Sequence, residues 1–241
     1  RFSNMSQAIA LNEGPGNPAR PIVLSGLEMT DISFFAVVVD TASELELTDS
    51  EFLRCLFPLE LRDGVDAVVE NVTIQADGLN NQANGIALRR NCTLDISNSS
   101  IYGHLNSIDA QVDCDVTATD CYFERPDFSA FIITQNSELH SERNELVDCG
   151  QDGIFIGDPT KHLDTSAAII RNTVVRNSGT NTNVPHRSGT GIALQAASHF
   201  ILEDNLLTDS YDSGIYIGKG ATGIFRRNIV DNNRSGIIVA D

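Results

Sequence analysis

A four-residue apolar phrase recurs along this chain at the spacing of one solenoid turn, and no other feature restricts the fold as strongly. GIAL stands at 85 and again at 191, GIFI at 153, GIYI at 214 and GIIV at 236. With the weaker copies SIDA at 107 and SAFI at 129, the first residues are Gly85, Ser107, Ser129, Gly153, Gly191, Gly214 and Gly236, separated by 22, 22, 24, 38, 23 and 22 residues. A fixed period in this range marks a repeat architecture, one copy to a turn. The second and fourth positions are small or apolar, as a strand with one inward face requires. AIAL at 8 to 11 and AVVV at 36 to 39 extend the series toward the N-terminus.

A second phrase, apolar-x-apolar-x-Asn/Asp, alternates with the first. It reads LEMTD, LELTD, AVVEN, LDISN, VTATD and AIIRN, ending on Asp31, Asp49, Asn71, Asn98, Asp120 and Asn172. Looser copies, LHSERN, FILEDN and GIFRRN, add Asn144, Asn205 and Asn228 with a register open by about a residue. Two or more strands per turn joined by Gly, Asn, Asp and Ser exclude a helical solenoid, which needs apolar residues at i, i+3, i+4 and i+7. The expectation is an all-β parallel β-helix of about nine to ten turns, stacked at ~4.8 Å. The Asn/Asp residues are expected to hold the bends, where short polar side chains bond the backbone. The phrase-head glycines are expected at a tight corner or a close backbone approach.

The GIxI phrase with an Asn/Asp some 14 residues later resembles the right-handed parallel β-helix repeats of the pectin-lyase-like superfamily, over roughly residues 8 to 241. The resemblance implies a right-handed coil and raises carbohydrate as the substrate class. That superfamily holds polysaccharide lyases, hydrolases, uronate epimerases, tailspikes, adhesins and non-catalytic sugar-binding proteins, so it leaves the chemistry open.

Composition narrows the partners. With 41% hydrophobic residues the chain can bury a core, and 33 acidic against 16 basic side chains give a net charge of −17, which repels nucleic acid and anionic membranes. The balance suits a secreted protein, a salty habitat or a Ca²⁺-binding surface. There is no apolar run long enough to insert in a membrane. Residues 1–241 are read as one β-helix domain with an extracellular or cell-surface location. Because GIIVAD stops in mid-turn, continuation past Asp241 or a further domain or subunit at the solenoid ends is expected. Of the five cysteines, Cys92 and Cys114 lie one period apart, which leaves both a disulfide and a ladder of packed thiols open; no CxxC pair or ligand spacing supports a metal.

Solenoids place inserted loops on the face that binds. The 38-residue step from Gly153 to Gly191 contains two insertions, 157–166 and 177–190, expected to wall a cleft at opposite edges of neighbouring strands. Its floor would be the outward third positions, Ala87, Asp109, Phe131, Phe155, Ala193, Tyr216 and Ile238, an aromatic column suited to stacking sugar rings. The candidate substrate-binding residues are Phe131, Phe155, Tyr216, Tyr211, Lys161 and His186. The candidate catalytic residues are Lys219, Arg187, Asp212, Asp158 and His162.

These residue types serve two reaction classes. A lyase or epimerase acting on an acidic polysaccharide needs cations or carboxylate-bound Ca²⁺ against the uronate, plus a base for the C5 proton. A glycoside hydrolase needs paired carboxylates. The polygalacturonase-like NTD, DD, GHG and RIK set is absent, as are WIDH and DPHE. A non-catalytic carbohydrate-binding or adhesive rod therefore stands beside the enzymes, and no cofactor is required, with Ca²⁺ left open by the uronate chemistry.

Overall fold

The computed structural model describes residues 1–12, 21–41, 44–76, 83–158, 164–180, 189–195 and 199–240. Every strand among them is parallel to its partners, and each pairs with its equivalent one turn away. Three sheets result. Sheet 1 has ten strands, from Phe2–Ser3 to Ile229–Asp231; sheet 2 has ten, from Ile9–Asn12 to Ser235–Val239; sheet 3 has nine, from Ile22–Ser25 to Thr222–Arg226. The chain visits them in the order 1, 2, 3 on every turn, and no helix occurs among the described residues. This is the expected β-solenoid.

The GIxI phrases form sheet 2. Val37, Leu59, Ile86, Ile108, Ile154, Ile192 and Ile215 stack in register and are almost fully buried. Burying each such side chain is worth about 1.5–3 kcal/mol, and each stacks on the same residue class above and below, so no turn holds its core alone. The phrase-head glycines answer to space rather than to φ. A Cβ on Gly153 would lie 2.6 Å from the Gly191 carbonyl oxygen and 2.4 Å from Val175, and one on Gly191 would lie 2.6 Å from the Gly214 oxygen.

Register corrects one expected site residue. Phe131 pairs with Ile108 and Ile154 in the inward column, and the outward residue of that strand is Ile132. The phrase at this turn is therefore AFII from Ala130, one residue later than SAFI. A one-residue shift exchanges the two faces of a strand. Phe131 is fully buried, packed edge-on against Phe123 with centroids 4.8 Å apart, and offers no face to a ligand.

The bends are built from left-handed residues. Between sheets 3 and 1 the residues with φ near +50° are Asp49, Asn71, Asn98, Asp120, Arg143, Asn172, Asp204 and Arg227. All but Arg227, which follows the last strand of sheet 3, send their N–H to the next turn, as from Asp49 to the Glu70 oxygen (3.1 Å) and from Asp120 to the Glu142 oxygen (3.2 Å). Asn and Asp tolerate this conformation best, which explains their recurrence. Asp31 belongs to the other series of bends, between sheets 1 and 2, with Asn4, Arg54, Asp148 and Asn177. Asn144, Asn205 and Asn228 stand one place after the left-handed residue; Asn144 and Asn205 are buried and Asn228 is partly so. Arg54, Arg90, Arg143 and Arg227 enter bends where an aspartate one turn earlier holds them: Arg143 Nε and Nη2 each donate to Asp120 at 2.9 Å.

All five cysteines are free and buried. Cys92 and Cys114 occupy adjacent turns, and the interaction between their side chains holds the Cys92 thiol below its ordinary range while it and burial push the Cys114 thiol up.

Candidate functional site

The outer face of sheet 2 carries two columns of side chains. One runs Val38, Glu60, Ala87, Asp109, Ile132, Phe155, Ala193, Tyr216 and Ile238; the other, two residues on in each strand, includes Arg62, Arg89, Gln111, Thr134, Gln195 and Gly218. Where the first column turns aromatic the second turns small. Gly157 stands two places after Phe155 and Gly218 two places after Tyr216, and the Gln195 residue packs against both glycines. Gly157 has φ +87°, and a Cβ there would meet the Gln195 carbonyl oxygen at 2.3 Å, which only glycine avoids.

A cleft of about 350 Å³ forms over this stretch. Its floor is Ile132, Phe155, Ala193 and Tyr216, with Gln195 on one side and Ser129, Gln151, Asp152, Thr190 and Asp212 on the other. Asp152 is 3% exposed and its Oδ1 accepts the Thr190 N–H at 2.9 Å. The Thr190 and Ser213 hydroxyls lie 3.2 Å apart. Asp212 is half-buried, its N–H bonded to the Gly189 oxygen (3.1 Å) and its carbonyl accepting the Ser235 N–H (2.7 Å). Both carboxylates thus stand on backbone fixed by neighbouring turns.

The end of the first insertion is pinned by another carboxylate. Asp164 accepts the N–H groups of Gln135 (2.9 Å), Asn136 (3.1 Å), Asp158 (2.6 Å) and Ser166 (2.9 Å), and the Ser166 hydroxyl (2.5 Å). Burial pushes its acidity toward the neutral form, but the Ser166 hydroxyl and the backbone donors outweigh that and hold it below the usual range.

The structure brings Phe155, Tyr216 and Asp212 of the expected residues into one cleft. Tyr211 is 47% exposed at the preceding bend, and Lys219 is exposed in the turn after the Tyr216 strand; neither lines the cleft, nor does Asp158. Lys161, His162, His186 and Arg187 lie outside the described residues. Asp152, Ile132, Gln151 and Gln195 were not among the expected site residues. The signal for Gln195 was available two places after Ala193, where strand alternation points outward again.

Two larger hollows, of about 620 and 400 Å³, lie on sheet 3. Sheet 2 is the stronger candidate because its cleft sets the half-buried rings of Phe155 and Tyr216 beside two carboxylates, with Thr190, the last residue of the second insertion, in its lining.

A model of the right-handed β-helix region matches residues 35–182 and 163–241. The chain belongs to the right-handed β-helix family. Right-handed coiling and the pectin-lyase-like type of repeat thereby stand as expected. No curated protein matches the chain. For this β-helix, then, the family fixes the architecture, and the chemistry must be argued from the cleft.

Proposed function

We propose that this β-helix is an extracellular polysaccharide-processing protein that binds a sugar chain along sheet 2 and cleaves it by hydrolysis between Asp152 and Asp212. The observation that carries the reading is the cleft itself, in which two half-buried aromatic rings in one outward column, with Ala193 between them, are flanked by two carboxylates and two glutamines. Aromatic faces take the apolar faces of sugar rings, and amide side chains take the hydroxyls.

Hydrolysis is favoured over elimination because the charged groups lining the cleft, among the described residues, are both carboxylates. One would protonate the leaving oxygen and the other activate water. Asp152 and Asp212 stand two turns apart, about 10 Å along the axis. That separation is closer to the roughly 6.5–9.5 Å of inverting glycosidases than to the ~5 Å of retaining ones. Inversion at the anomeric carbon is the expected outcome. An acidic polysaccharide as substrate, and the lyase or epimerase chemistry that goes with it, rests on Lys219 with Lys161, His162, His186 and Arg187 of the insertions.

A panel of neutral and uronate polysaccharides, assayed for new reducing ends and for the ultraviolet absorbance of unsaturated uronates, tests the reading. Asp152→Asn and Asp212→Asn should each lose roughly 100-fold or more in rate, the scale of a lost general acid or base. Saccharide binding without turnover would make the protein a binding rod. Unsaturated products would replace hydrolysis by elimination.

A further inference from the structure

A second aromatic group lies on the outer face of sheet 2, four turns before the cleft. Phe34, Phe35 and Phe57 meet with ring centroids 4.3, 5.6 and 5.0 Å apart. Phe35 and Phe57 are in register, and their row along the corner continues through Asn84, Asn106 and Ser129 to Asp152. From the far end of the strand Arg62 reaches back to within 5.3 Å of the Phe35 centroid, while its Nε donates to Glu60 at 2.8 Å. This bridge passes over the outward column and accounts for Val38, which points outward yet is only 7% exposed. Phe34 remains 49% exposed at the edge.

The track between this group and the cleft is continuous and polar. Asn84 Nδ2 donates to Asp109 Oδ2 (2.7 Å), Asn106 Nδ2 donates to Asn84 Oδ1 (2.9 Å), and Asn106 Oδ1 accepts the Ser129 N–H (3.2 Å). Ser129 is itself part of the cleft wall. Sheet 2 therefore presents aromatic surface at two places on one line, joined by amides fixed in a hydrogen-bonded row. Four turns at ~4.8 Å put the two about 19 Å apart.

We propose that Phe34, Phe57 and Arg62 form a second sugar-binding subsite, occupied by the distal part of the same polysaccharide chain that lies in the cleft. The proposal rests on the saccharide reading of the cleft. The exposed Phe34 ring supplies the stacking face, and Glu60 and Arg62 supply an acceptor and donors for hydroxyls beside it. Two subsites on one rigid scaffold convert the second contact into an intramolecular one, so affinity should rise steeply once a ligand is long enough to span both.

Calorimetric titration with β-linked glucose oligomers and galacturonate oligomers, from disaccharide to decasaccharide, tests this on wild type, Phe34→Ala and Tyr216→Ala. In wild type the long oligomers should bind at least about tenfold tighter than the short ones, a difference of ~1.4 kcal/mol. Phe34→Ala should lose that gain and bind short oligomers like wild type; Tyr216→Ala should weaken both. Circular dichroism checks that each variant is folded. If Phe34→Ala binds long oligomers as wild type does while Tyr216→Ala weakens them, the second subsite is wrong and the cleft stands. If no oligomer binds, or Tyr216→Ala changes nothing, the cleft reading falls and the subsite with it.

Discussion

At the scale of single residues, the bends expose which side chains suit the backbone and which oppose it. Val112 has φ +68°, a conformation that costs an L-residue about 1–2 kcal/mol and is worst for a β-branched one. Its half-buried side chain makes Val112→Asn a replacement that relieves the backbone without emptying the core. The variant should gain about 1 kcal/mol, read as a higher urea midpoint at unchanged slope. His104 is the opposite case. It is buried, its Nε2 has no hydrogen-bond partner, and burial lowers its pKa from 6.5 to about 4. Since the folded value lies below the unfolded one, folding favours the neutral ring. The contribution is complete above pH ~6.5 and is lost as pH falls toward 4, by about 3 kcal/mol in total. His104→Leu should flatten stability between these limits; the Ala83 carbonyl keeps its Leu105 N–H partner. Asp164, held below its usual range, acts only in the window beneath, where acid removes its contribution.

At the scale of strands and bends, the legible elements were those repeating a phrase long enough to show a face. The strands of sheet 2, three to six residues long, and those of sheet 3, four or five residues long, carry two inward residues or more, and both were readable. The strands of sheet 1, such as Thr73–Gln75, Ser100–Tyr102 and Glu145–Val147, are three residues long with a single inward side chain, too short for alternation to register. The slip at Ser129 has a related cause: Ser129 and Ala130 are both small, so SAFI and AFII scan alike, and only pairing with Ile154 decides. The Asn series was seen, but its two roles were merged. Asn205 faces inward, where Oδ1 accepts the Thr173 N–H (3.0 Å) and Nδ2 donates to the Ile170 carbonyl (2.8 Å). Asn205→Ala would leave a buried donor without a partner and should cost about 2–3 kcal/mol. The same change at Asn71, exposed and left-handed, loses a bend residue without orphaning a core group and should cost less; thermal melts of the two variants give the comparison.

For the whole molecule, charge sets the response to solvent. A net −17 repels itself, and the parallel register concentrates that repulsion on the outer face of sheet 3. Glu44 is in register with Asp66, and Asp115 with Glu138, all four exposed. Like charges directly opposite on neighbouring strands are destabilising. At ~4.8 Å they stand well inside the screening length of about 10 Å at 0.1 M salt. The bends do not share this penalty, because Arg54, Arg143 and Arg227 each bond an aspartate one turn earlier. Sodium chloride should therefore raise the melting temperature, with most of the gain at low ionic strength. Glu44→Gln and Glu138→Gln should each raise it in dilute buffer and change it little in 1 M salt, where the screening length is about 3 Å. A melting temperature indifferent to salt, or lowered by both substitutions, would mean that the carboxylate columns are compensated by contacts other than the solvent, and that the repulsion assigned to sheet 3 does not govern stability.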